Sequence, residues 1–236
     1  AYHTRFHHAL GAMHLMQKAI STLKSKGHEI TLDEEQAVLI AILLHDVGHG
    51  PFSHALEHSI VSGINHENIS MLIMDKLNDE FKGKLSLAIK IFRNEYSQAF
   101  LHQLISSQLD VDRLDYLKRD SFYSGVSEGI INEDRIISML NVSNGNLVVD
   151  AKAIYSIEKF IIARRLMYWQ VYLHKTVLSA EFSLVQALKR AKTLVKNGVD
   201  IFSTSALREF LQNDHSLENF KINAKLLDLF CQLDDI

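Results

Sequence analysis

The chain holds a single cysteine, Cys231, among 236 residues. One thiol rules out an internal disulfide and a cysteine-built zinc site. Its expected role is that of a small buried apolar residue rather than a nucleophile. Proline is as scarce, with Pro51 alone, and there are ten glycines. So few helix breakers predict long uninterrupted helices. No apolar run approaches the ~20 residues needed to span a bilayer, and no signal-peptide pattern is visible. The chain therefore reads as cytoplasmic, with no membrane partner. Charge of one sign is lacking too: 25 basic and 28 acidic residues leave a net −3. That gives no global positive field for general nucleic-acid binding, although local basic residues can hold a small anion.

Histidine is what the chain has in excess. Ten of its thirteen fall within the first 66 residues, at His3, His7, His8, His14, His28, His45, His49, His54, His58 and His66. Imidazole is the commonest metal ligand and titrates near neutrality. Any one of these reads as a surface residue; a cluster mixed with acids and placed at helix ends does not.

Apolar periodicity predicts a first helix over residues 4–25, stopped by Gly27. A second, apolar and central, follows from an N-cap region at Asp33 to the break at 48–52, after which Pro51 can open a short helix. Further helices are expected at 65–78, 84–93, 98–108 and 109–120. The run Ser143-Asn144-Gly145-Asn146 predicts a tight turn in a small β-hairpin. Residues 152–196 read as one very long helix or two in line, with Met167, Tyr168 and Trp169 as exposed apolar residues on an oligomer surface. Helices at 203–213 and 216–233 complete the chain. The fold class is all-α with one minor hairpin.

Three segments carry the chemistry. LLHDVGHGPFSH at 43–54 drives an apolar helix into His45-Asp46 and then a glycine-rich break bearing His49 and His54. Adjacent helical residues diverge by roughly 100°, so His45 and Asp46 can share one ion only near a helix end, which the break supplies. Its glycines also let backbone approach a ligand closely. HTRFHHALG at 3–11 places Arg5 and His8 three apart on one helix face, a cation beside a potential metal ligand. SSQLDVDRLDYLKRDSFYSGV at 106–126 spaces Asp112, Asp115 or Tyr116, and Arg119 helically, with leucines interleaved. The ordinary reading of such a run is a solvated, salt-bridged face. The leucines put part of it near the core, where a carboxylate needs a cation, and a metal would satisfy Asp112.

These segments, in this order and with ARRLMYWQVYLHK at 163–175, resemble the HD-domain superfamily. Within it they resemble the deoxynucleoside triphosphate triphosphohydrolase (dGTPase-like) branch. The resemblance implies an HD phosphohydrolase domain over residues 1–200, with 201–236 a helical extension packed on it. It implies a metal held by His8, His45, Asp46 and Asp112. Such a mixed nitrogen and oxygen set suits one divalent ion, Mn, Fe, Co, Ni, Zn or Mg, without choosing among them. It implies that His49 and His66 flank the reacting phosphate, with Glu57 orienting one of them where relatives often have Asp. His54 falls at a substrate contact; Arg5, Arg113, Tyr116 and Arg164 match phosphate-binding positions. Asp120 and Tyr172 match residues that hold sugar and base, although Tyr172 in an aromatic-rich helix also reads as core packing. The implied partner is a nucleotide substrate, and the implied assembly a homo-oligomer. Two other classes stay open: another HD hydrolase, such as a nucleoside monophosphatase or cyclic-nucleotide phosphodiesterase, and a nucleotide-binding regulatory module without turnover. No Gly-Tyr-Pro follows the HD dipeptide, and the intact ligand set argues against the regulatory module.

Overall fold

The computed structural model describes residues 3–52 and 63–234. It is helical, with one two-stranded antiparallel sheet among the described residues. The chain divides into two compact units, Ala1–His45 with Leu77–His174, and Asp46–Lys76 with Lys175–Ile236.

In the first unit, helix α1 (Arg5–Ser25) packs against α2 (Leu32–Leu44) and α6 (Val111–Ser124). Each starts on a side-chain cap. Thr4 accepts from the His7 amide, and the His7 ring closes the box on the Thr4 amide. Thr31 pairs in the same way with Glu34. The cap of α2 is thus Thr31, and Asp33 lies in the first turn, where a carboxylate favours the positive end of the helix. Asp110 caps α6 through the Arg113 amide at 2.8 Å, and Gly125 ends it in the left-handed region at φ 72°. The buried stripe of α1 recurs every three or four residues, through Ala12, Leu15, Met16, Ala19, Ile20 and Leu23. It joins Val38, Ala41 and Ile42 of α2 and Leu114 and Leu117 of α6 in one core.

Helices α4 (Ser86–Phe92) and α5 (Ala99–Ile105) pack on α2. A short helix, α7 (Glu133–Ser138), precedes the expected hairpin, strands β1 (Leu140–Ser143) and β2 (Asn146–Val149). Its register pairs Ser143 with Asn146 and Leu140 with Val149. Asn144 and Gly145 both take positive φ, 51° and 76°, as a two-residue turn matched to strand twist requires.

Of the alternatives for residues 152–196, two helices form rather than one. Helix α8 (Ile154–Met167) widens over Tyr168–Tyr172 into a π turn, closed by the Leu173 amide on the Tyr168 carbonyl at 2.7 Å. A new helix, α9 (Lys175–Lys196), belongs to the second unit. Met167 is buried in the first unit's core rather than exposed; a Cβ on Gly129 would stand 2.7 Å from its sulfur. Tyr168 and Trp169 are exposed as expected.

The second unit contains most of α3 (His66–Glu80), together with α9, α10 (Ser205–Gln212), α11 (Leu217–Ile222) and α12 (Ala224–Phe230). Phe210, Phe220 and Phe230 meet at centroid distances of 6.0–6.1 Å in its interior. Asn223 divides the expected 216–233 helix by ending α11 and capping α12 through the Lys225 amide. Cys231, expected to be buried, is exposed, one residue beyond the end of α12.

Candidate metal centre

In the first unit, one ligand atom each from His8 (α1), His45 (the residue after α2) and Asp112 (α6) lies within 4.8 Å of the others. His8 Nε2 stands 3.0 Å from Asp112 Oδ1 and His45 Nε2 stands 3.4 Å from the same oxygen. The two rings meet edge to face at 5.4 Å. Both histidines are buried, and Asp112 is partly so.

The outer nitrogens are already committed. His45 Nδ1 donates to its own helix at the Ile42 carbonyl, 2.6 Å away. His8 Nδ1 donates to Asp115 Oδ2 at 2.7 Å. Carbonyl and carboxylate are acceptors, so each Nδ1 carries a proton, and when the rings are neutral both Nε2 lone pairs turn inward. Two nitrogen lone pairs and a carboxylate oxygen then converge on one point, which repels unless a positive charge lies among them. The donor set fits a divalent cation bound through nitrogen and oxygen. Proton affinity shows the same demand. Burial opposes charge on His8, yet its hydrogen bonds to Asp112 and Asp115 raise it to about 9. Burial would raise Asp112, but the hydrogen bonds from His45 and His8 hold it far below the usual carboxylate range.

Asp112 is the first of three α6 residues on one face, with Tyr116 and Asp120 following at i+4 and i+8. Tyr172, swung by the π turn, donates to Asp120 Oδ2 at 2.7 Å and meets the Tyr116 ring edge-on at 6.1 Å. Burial and the Asp120 carboxylate push the Tyr172 phenol far above its ordinary value. Tyr168 lies against Tyr172 at 5.1 Å, and the Arg164 guanidinium lies 5.8 Å from the Tyr168 ring centroid. Arg113 Nε bonds the Ser107 carbonyl at 2.8 Å and Asp110 at 3.2 Å, pinning the loop ahead of α6. Five residues expected at substrate, Arg113, Tyr116, Asp120, Arg164 and Tyr172, are thus gathered around α6 and the π turn. Arg5 is exposed at the first residue of α1, one turn before His8.

The second unit holds a separate group. Ligand atoms of Asp46, His49 and His66 also lie within 4.8 Å of one another. His49 stacks on His66 at 3.7 Å, with planes 11° apart, and its Nε2 is 3.7 Å from Asp46 Oδ1. Gly48 sets this geometry. Its amide donates to Ser70 Oγ at 2.9 Å, and a Cβ there would stand 2.2 Å from the Ser70 nitrogen and 2.3 Å from the His66 carbonyl oxygen. The glycine admits the first turn of α3. Expected residues His54 and Glu57 lie outside the described residues.

Two residues near the first group escaped the sequence reading. Asp115 was one member of a periodic charge run and is the carboxylate that holds His8. His3, one of the clustered histidines given no role, places Nε2 3.4 Å from Asp120 and its ring 4.8 Å from that of Tyr123.

Comparison with known proteins matches residues 5–120 to the HD domain and 131–216 to the HD associated region. A crystal structure of a phosphohydrolase from Bacteroides thetaiotaomicron superposes with a TM-score of 0.97 at 57% identity, over 100% of this chain and 58% of that one. An uncharacterised protein of Bacillus subtilis, YwfO, is 35% identical over 84% of this chain and 47% of its own length. A Dictyostelium discoideum protein named deoxynucleoside triphosphate triphosphohydrolase SAMHD1 homolog is 33% identical over 83% of this chain and 42% of its own. The chain thus spans about half the length of these curated relatives. With the HD domain on its first half and the HD associated region on most of its second, the chain belongs to the HD-domain family.

Proposed function

We propose that the chain is a metal-dependent phosphohydrolase that cleaves deoxynucleoside triphosphates to deoxynucleoside and inorganic triphosphate. The observation that carries this reading is the convergence of His8 Nε2, His45 Nε2 and Asp112 Oδ1, with both Nδ1 atoms committed elsewhere. A divalent cation held there would polarise a phosphoryl oxygen and lower the pKa of bound water.

The chain's own residues supply the rest. Asp112, Tyr116 and Asp120 extend along α6 by ~12 Å, from the 1.5 Å rise per residue. That length receives phosphates at the Asp112 end and sugar and base at the Asp120 end. Arg164 and Arg113 bring positive charge for the phosphates, and the Tyr116 hydroxyl a hydrogen bond. Tyr172, fixed by its bond to Asp120, offers a ring face. The motif resemblance assigns Asp46 as a further metal ligand and His49 and His66 as the histidines beside the reacting phosphate. The names of the Dictyostelium and Bacteroides relatives support the reaction class and the substrate class.

The test is to incubate the protein with each of the four dNTPs and Mn²⁺, then resolve the products. Triphosphate and free deoxynucleoside, absent with Asp112→Ala, are expected. Cleavage confined to nucleoside monophosphates or cyclic nucleotides would replace the substrate and keep the centre. Retained nucleotide binding with no turnover under any divalent metal would defeat the catalytic reading.

A further inference from the structure

The two histidines of the first unit are oriented by different means. His45 leans on its own helix through the Ile42 carbonyl, an interaction any residue at position 42 could provide. His8 depends on a side chain 107 residues away, Asp115, itself buried at 7% exposure. Asp115 is gripped on both oxygens: Arg119 Nε donates to Oδ2 at 2.7 Å and Arg119 Nη2 to Oδ1 at 2.8 Å. Such a two-pronged pair fixes the plane of the carboxylate as well as its position. Asp115 and Arg119 are four apart on α6, so the clamp is rigid within one helix.

The sequence makes room for the clamp at a cost. Gly11 sits in the interior of α1, where glycine is unfavourable by about 1 kcal/mol relative to alanine. Its φ is not in the left-handed region, so conformation does not demand glycine. Space does: a Cβ on Gly11 would lie 2.0 Å from Asp115 Oδ1 and 2.1 Å from Arg119 Nη2. Gly11 is three residues beyond His8 and shares its face. The clamp therefore lies flush on the α1 backbone beside the imidazole it orients.

We propose that Asp115, gripped by Arg119 and admitted by Gly11, is the positioning residue for His8 and sets how tightly the first unit's centre holds a divalent cation. The inference rests on reading His8, His45 and Asp112 as metal ligands. A carboxylate on the outer imidazole nitrogen fixes the ring and strengthens the inner nitrogen as a donor, and loss of such a partner typically weakens metal binding by 10–100-fold.

The test measures Mn²⁺ binding by calorimetry on the metal-free protein, without substrate. Asp115→Asn keeps the shape but loses the charge and the Arg119 clamp, and is expected to raise Kd about tenfold or more. Arg119→Gln, which leaves the carboxylate in place, is expected to raise it about threefold, a fraction of the full loss. In the double variant, the Arg119 change adds nothing once Asp115 is gone, as a shared route requires. Melting of the metal-free variants separates positioning from general damage, because a merely structural role would lower the melting temperature and leave the Kd of the folded protein alone. A folded Asp115→Asn protein with a Kd within twofold of the parent would overturn the inference. Should that variant not fold, an unchanged Kd in Arg119→Gln overturns it and a weakened one upholds it. No Mn²⁺ binding by the parent would overturn the metal-centre reading itself, and this inference with it.

Discussion

Gly48→Ala tests the geometry of the second unit directly. The added methyl would meet three atoms of the α3 turn, the Ser70 nitrogen at 2.2 Å, the His66 oxygen at 2.3 Å and the Ile69 carbonyl carbon at 2.8 Å. All are backbone, so none can rotate away, and ordinary contact requires separation by about 1 Å. Overpacking of this kind costs about 1–3 kcal/mol. The shift also stretches the Gly48 amide bond to Ser70 Oγ, worth about 1 kcal/mol. Together they give about 2–4 kcal/mol, or about 5–15 °C at 2–4 °C per kcal/mol for a chain of this size. Gly27→Ala is the control. Gly27 stands at φ 89° with nothing within 4 Å of the new methyl, so only backbone strain of about 1–2 kcal/mol applies. Scanning calorimetry of both variants against the parent should place Gly48→Ala clearly below Gly27→Ala. A Gly48→Ala midpoint equal to or above that of Gly27→Ala would refute the close approach of the glycine-rich break to α3.

Three further outcomes are expected. Saturating Mn²⁺ at about 100 times its Kd should stabilise the protein by about 2.7 kcal/mol, and EDTA should reverse the rise in melting temperature. Asp112→Asn should show neither effect; an undiminished shift there would remove Asp112 from the centre. Burial would raise the Glu34 carboxylate, but bonds from the Tyr96 hydroxyl at 2.7 Å and from Thr31 hold it below its usual value. The folded state therefore binds that proton less tightly than the unfolded chain. The stabilisation is full above the ordinary carboxylate pKa and is lost as pH falls through the lowered folded value. Glu34→Gln should cost about 1.5–3 kcal/mol at pH 7, the worth of a hydrogen bond to a charged group, with the gap closing in denaturant titrations at strongly acidic pH; a gap independent of pH would refute the assignment. Tyr172→Phe removes the bond to Asp120, and a loss of about 1.4 kcal/mol would raise KM for nucleotide about tenfold with kcat little changed. A fall in kcat at constant KM would place Tyr172 in the chemistry instead.

What the sequence disclosed follows from how each feature is encoded. The stripes of α1 and α2 repeat often enough for a helical period to be unmistakable, and Asn144-Gly145 is a turn because few other pairs tolerate two positive φ values. Helix α7 has six residues, too few to display a period. The π turn at Tyr168–Tyr172 contains neither proline nor glycine, so no residue marks it; it is visible only as an amide bonded five residues back. Asn223 could have been read as a break, since asparagine caps helices better than it fills them.

The candidate site divides in the same way. The motif resemblance singled out His8, His45 and Asp112, and their ligand atoms lie within 4.8 Å of one another. Asp115 was not singled out, although it is more buried than Asp112 on the same helix. Asp112 and Asp115 are the same residue type three positions apart, and both bond to His8. At His8 they differ in which nitrogen they meet, Nε2 for Asp112 and Nδ1 for Asp115. That distinction is created by the packing of α1 on α6, and Gly11 leaves the space that the Asp115–Arg119 pair fills. Residue type names the chemistry available at a site; helix packing decides which carboxylate acts as ligand and which as orienter.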